Sequence, residues 1–66
     1  MRKAEQIGLR VSGELKRALA QIAKNEDRSL AQVCEIFLKG AVLYYQEEGS
    51  RYFQRLLNLQ KAKIED

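Results

Sequence analysis

The chain has 66 residues, with 12 Lys+Arg against 9 Asp+Glu for a formal net charge of +3, one cysteine, and no histidine, proline or tryptophan. Ordering so short a chain costs roughly 100 kcal/mol, and a core of this size outweighs that cost by no more than about 3–5 kcal/mol. A single cysteine makes no internal disulfide and the lack of histidine removes the usual zinc ligands, so the expected staple is a partner chain.

Hydrophobic residues make up 45% and charged residues 32%, the balance of a soluble folded chain. The longest uncharged stretch, Gly40 to Gln46, falls far short of the ~20 residues that span a bilayer. No apolar run follows Met1-Arg2-Lys3, so no signal peptide is expected, and a reducing, cytoplasmic compartment is the default. The basic excess, a sequence pI of 9.2, favours an anionic partner. It lies at the two ends, +2 over residues 1–11 and +2 over residues 49–66, while residues 29–48 are acidic and apolar.

In chain order, residues 5–11 alternate, with Ile7, Leu9 and Val11 separated by Gly8 and Arg10 and preceded by Gln6. A period of two predicts a short strand with one buried face. Ser12 then offers an N-cap, and Leu15, Ala18, Leu19, Ile22 and Ala23 fill every position of an amphipathic helix. The polar run Lys24 to Arg28 ends it.

Ser29-Leu30-Ala31-Gln32 reads as a capping box opening a second helix. Leu30, Val33, Cys34, Phe37, Ala41 and Tyr44 form one stripe, and Ile36, Leu38, Val42, Leu43 and Tyr45 widen it to most of the circumference. A helix apolar nearly all round is buried nearly all round, more than the rest of this chain can cover. Cys34 reads as a small core residue. Gly49-Ser50 breaks the pattern, with Ser50 as the cap of a third helix that is apolar at Tyr52, Phe53, Leu56 and Leu57 and basic at Arg51, Arg55, Lys61 and Lys63. The alternative is one kinked helix running through Gly49.

A lone strand has no partner in its own chain, and pairing with the same strand of a second copy is the economical solution. The over-apolar second helix asks for the same partner. A homodimer is therefore expected, its core built from Ile7, Leu9, Val11, Leu19, Ile22, Leu30, Val33 and Phe37.

The strand Gln6–Val11, Ser12 with Leu15, Leu19 and Ile22, and Asp27-Arg28-Ser29-Leu30 together resemble the ribbon-helix-helix (MetJ/Arc/CopG-type) repressors over roughly residues 4–45. Members commonly carry glycine where Asp27 stands and a polar side chain where Gly8 stands. The resemblance implies a mainly α fold with one short N-terminal strand, an intertwined homodimer with a two-stranded antiparallel ribbon. Residues 1–48 would form the DNA-binding and dimerisation domain, and residues 49–66 a C-terminal helical extension.

The function implied is sequence-specific binding of double-stranded operator DNA by a transcriptional repressor, including repression of its own promoter. Gln6, Gly8 and Arg10 would face base edges in the major groove, since arginine pairs bidentately with guanine and glutamine with adenine. The amides of Ser29 and Leu30 would grip a phosphate, and Arg2 and Lys3 would add phosphate attraction.

Two other readings compete. One is an antitoxin whose segment 49–66 binds a toxin. The other is a helix-turn-helix reader using Gln32 and Glu35. No carboxylate pair set across a cleft, glycine-rich phosphate loop or plausible metal-ligand set is read from the sequence, so neither an enzyme nor a cofactor or metal is expected.

Overall fold

The computed structural model describes residues 5–63, with side chains through Lys61. Three helices follow one another, α1 (Gly13–Glu26), α2 (Leu30–Glu48) and α3 (Ser50–Lys63). Each begins where the local chemistry supplies hydrogen-bond partners. Ser12 is extended (φ −66°, ψ 157°) and its Oγ accepts from the Leu15 N–H at 3.1 Å, capping α1. Ser29 Oγ accepts from the Gln32 N–H at 3.1 Å, and the Ser29 N–H donates to Gln32 Oε1 at 3.1 Å, completing the reciprocal box at α2.

The ends are as specific as the starts. Asp27 takes the left-handed conformation (φ 57°, ψ 47°), the position that glycine usually fills. Its N–H donates to the Lys24 carbonyl, and the Arg28 N–H donates to the Ala23 carbonyl at 2.9 Å. That pair of bonds is a Schellman close. Gly49 (φ 71°, ψ −149°) sits in a region that is essentially reserved for glycine, and it breaks the helical path in one residue. The second helix therefore does not run on through Gly49. Ser50 is the first residue of α3 rather than its cap, and the Gly49 carbonyl accepts from the Tyr52 N–H at 3.0 Å.

The expectation of an N-terminal strand, and with it the ribbon-helix-helix fold, is not met. Residues 5–12 form neither strand nor helix, and the described residues contain no strand at all. Side-chain alternation sorts apolar from polar residues, but a strand exists only when its amides and carbonyls find partners in a neighbouring strand. The described residues fold as three helices.

The interior is slight. Among the described residues, Ala23 and Val33, one from each helix of the α1–α2 pair, are the two buried apolar residues, at 7% and 3% exposure. Thirteen large apolar or aromatic side chains are exposed, from Ile7 at 75% to Leu57 at 41%. The total accessible surface is 6432 Å², whereas a folded monomer of 7.6 kDa exposes about 4,300 Å². No helix among the described residues is long and apolar enough to cross a membrane.

Candidate nucleic-acid interface

The three residues expected at base edges, Gln6, Gly8 and Arg10, are all exposed on the segment that leads into α1. Ile7 and Leu9 are equally bare, so the segment has no covered side within its own chain. A Cβ added at Gly8 would meet nothing within 4 Å, which leaves the backbone there open to close approach. Arg2 and Lys3 lie outside the described residues.

At the start of α2 the capping box decides which donors remain. The Ser29 amide is engaged by Gln32 Oε1, and the Gln32 amide by Ser29 Oγ. The Val33 amide donates to the Ser29 carbonyl at 3.0 Å. Leu30 and Ala31 are left as the first-turn amides without an acceptor among the described residues. Of the two expected phosphate donors, Leu30 is available and Ser29 is taken. Ala31 carries a second free first-turn amide, which the sequence reading did not name. The signal was present, because a capping box by definition consumes the N-cap amide.

The described cations of the N-terminal segment, α1 and the α1–α2 connection are unpaired. Arg10, Lys16, Arg17, Lys24 and Arg28 are exposed, and none forms a salt bridge with a described carboxylate. Arg17, Gln21 and Lys24 recur at i, i+4 and i+7, which sets them along one side of α1. Asn25 Oδ1 accepts from Gln21 Nε2 at 3.2 Å, one turn further along the same helix. Glu14, Glu26 and Asp27 lie among these cations, so the surface is mixed rather than uniformly positive.

The expected dimer core divides into three classes. Val33 is already buried in the single chain, and Leu19, Ile22 and Leu30 are half-buried. Ile7, Leu9, Val11 and Phe37 are exposed and free to meet another surface. Cys34 is a free, half-buried thiol. Gln32 and Glu35, the residues of the helix-turn-helix reading, are exposed, but Gln32 is held in the capping box.

The α2–α3 corner carries the remaining polar chemistry. Tyr44 and Tyr52 have ring centroids 5.5 Å apart, and Tyr45 meets Phe53 edge-on at 6.4 Å. Arg55 Nη2 lies 2.9 Å from Glu48 Oε1, and its guanidinium sits 5.6 Å from the Tyr52 ring centroid. The basic flank expected on α3 is therefore weaker than its count of cations. Arg55 is engaged, and Lys61 lies about 120° round the helix from it at 100° per residue. No described group of three or more Cys, Asp or Glu residues is arranged to hold a metal ion. No family model, curated protein or solved structure matches the chain.

Proposed function

We propose that the chain is a cytoplasmic, homodimeric regulator of transcription that binds double-stranded DNA. What supports this reading is the exposure of Gln6 and Arg10 on the segment leading into α1, with Lys16, Arg17, Lys24 and Arg28 exposed and free of any ion pair with a described carboxylate. A solvated duplex asks for such side chains, because unpaired lysine and arginine displace condensed counterions from phosphate and gain free energy in doing so. Arginine and glutamine on an uncovered segment are also the side chains that discriminate bases by bidentate hydrogen bonds.

Each part has its role. Arg10 and Gln6 read base edges, and Gly8 lets the backbone approach. The Leu30 and Ala31 amides at the positive end of α2 receive a phosphate oxygen, with Arg28 beside them. The dimer supplies two such surfaces related by a two-fold axis, which matches a palindromic operator. The excess of accessible surface and the uncovered Ile36, Phe37 and Leu43 on α2 support the partnership.

Fluorescence anisotropy on a labelled duplex tests the reading. The logarithm of the affinity should fall linearly with the logarithm of salt concentration, by about 0.9 per phosphate contact. Affinity that is absent at low salt, or indifferent to salt, would refute it.

A further inference from the structure

Gly40 lies in the middle of α2, where glycine is a poor choice. It gives up more backbone freedom on folding than alanine and packs no side chain. The usual reasons for accepting that cost are absent among the described residues. Gly40 has no positive φ, and a Cβ built on it would meet nothing within 4 Å. Nothing in its own chain comes close enough to need the missing methyl group. A helix of another chain, crossing close to the backbone, would need it.

The surroundings of Gly40 are apolar and symmetric about it. Ile36 and Phe37 stand four and three residues before it, and Leu43 and Tyr44 three and four after it. At 100° per residue, all four lie within about 60° of Gly40 round the helix. Each is about half exposed, between 48% and 58%. Beside Gly40 an open depression of about 560 Å³ is bordered by Leu43, Tyr44, Gln46 and Glu47. We propose that Gly40 marks the point where α2 of one copy crosses α2 of a second, antiparallel and on the two-fold axis. The proposal rests on the homodimer proposed above and places its interface.

Symmetry, charge and area favour a second copy as the occupant. In an antiparallel crossing at Gly40, Phe37 of each copy meets Leu43 of the other, and Ile36 meets Tyr44. The spacing of large side chains on either side of Gly40 is therefore its own complement. Charge sets the direction. Glu47 lies seven residues past Gly40 and about 20° round from it, on the crossing face. A parallel crossing would set the two Glu47 carboxylates against one another, whereas the antiparallel one holds them about 20 Å apart. The area agrees. Phe37 and Tyr44 continue through Ala41 to Leu38 and Tyr45, so one partner chain meets a single apolar face. The seven large side chains that α2 leaves exposed, at 46–58%, present on the order of 700 Å² at roughly 100 Å² each. A standard interface takes roughly 800 Å² from each partner.

Sedimentation equilibrium of the full chain and its variants tests the crossing. Within a lone helix Gly40→Ala raises helix propensity and meets no clash. A local role therefore predicts a dimer as tight as the wild type or tighter. A close crossing predicts the reverse. The dimer dissociation constant should rise about tenfold for Gly40→Ala and over a hundredfold for Gly40→Leu. If a variant loses helicity by circular dichroism, cross-linking decides, because residue 40 of each copy then lies nearest its own counterpart. Gly40→Cys combined with Cys34→Ser should form a covalent dimer with oxidised glutathione. Lys39→Cys combined with Cys34→Ser, about 100° round the helix, should not. A wild-type dimer that Gly40→Ala leaves unchanged or tightens, or one that fails to cross-link through residue 40, overturns the crossing and leaves the dimer standing. A wild-type chain that is monomeric at every concentration removes both.

Discussion

Tyr45 meets Phe53 edge to face across Gly49, their ring centroids 6.4 Å apart and their planes at 86°. This pairing exists only because Gly49 turns the chain within one residue, and its dihedral pair belongs to glycine. Gly49→Ala should cost about 1–3 kcal/mol by that strain. Loss of the near-ultraviolet dichroism of the tyrosines should accompany the fall in melting temperature, since Tyr44–Tyr52 is broken with it. An alanine variant with unchanged stability and spectrum would mean that the α2–α3 corner does not depend on this turn.

Asp27 provides the opposite case, a residue that tolerates its conformation without being best for it. The left-handed region costs an ordinary residue about 1–2 kcal/mol, and glycine recovers part of that after its larger unfolded-state entropy is counted. Asp27→Gly should therefore stabilise the protein by about 0.5–1 kcal/mol in urea unfolding. A loss of stability would assign the Asp27 carboxylate a role beyond the Schellman close.

Both helix starts and the α1 close were legible from single residues. Ser12 and the Leu15–Ala23 spacing placed α1, and Ser29 with Gln32 placed α2, because capping is decided within four residues. The third helix was legible too, though its start was credited to Ser50 when the Gly49 backbone does the work. The strand was not, because alternation at Ile7, Leu9 and Val11 describes a side-chain pattern whereas a strand is a hydrogen-bonded pairing. The site divides in the same manner. The exposure of Gln6 and Arg10 was foreseeable, while the choice of Leu30 and Ala31 over Ser29 depends on which amides the capping box consumes.

Ser29→Ala probes that division. Removing the hydroxyl should cost about 1 kcal/mol of stability, because the cap goes with it. It should leave DNA affinity nearly unchanged at temperatures where the chain is folded, because the Leu30 and Ala31 amides remain. A large drop in affinity for a fully folded variant would return Ser29 to the phosphate site.

Stability should depend on concentration. Among the described residues two apolar side chains are buried and thirteen large ones exposed, so the proposed dimer should supply core that the single chain lacks. The melting temperature should rise with protein concentration, as it does whenever folding and association are linked. A melting temperature constant over a thousandfold dilution would show a self-sufficient monomer.

Arg10→Ala should separate reading from attraction. On a preferred duplex it should cost about 1–3 kcal/mol for each guanine that the arginine no longer reads, and relax the preference at one base pair of each half-site. Because Arg10 contacts bases and not phosphate, the salt slope should stay nearly unchanged. Equal binding of the variant and the wild type to the preferred duplex would remove the N-terminal segment from the interface.

Selection from a pool of random-sequence duplex DNA, followed by sequencing of what the purified full chain retains, tests the central claim most directly. A DNA-reading dimer predicts enrichment of a motif with two half-sites related by a two-fold axis and centred about one helical turn, or a multiple of it, apart. A pool that stays random through successive rounds, with no salt-dependent retention of duplex, would contradict it.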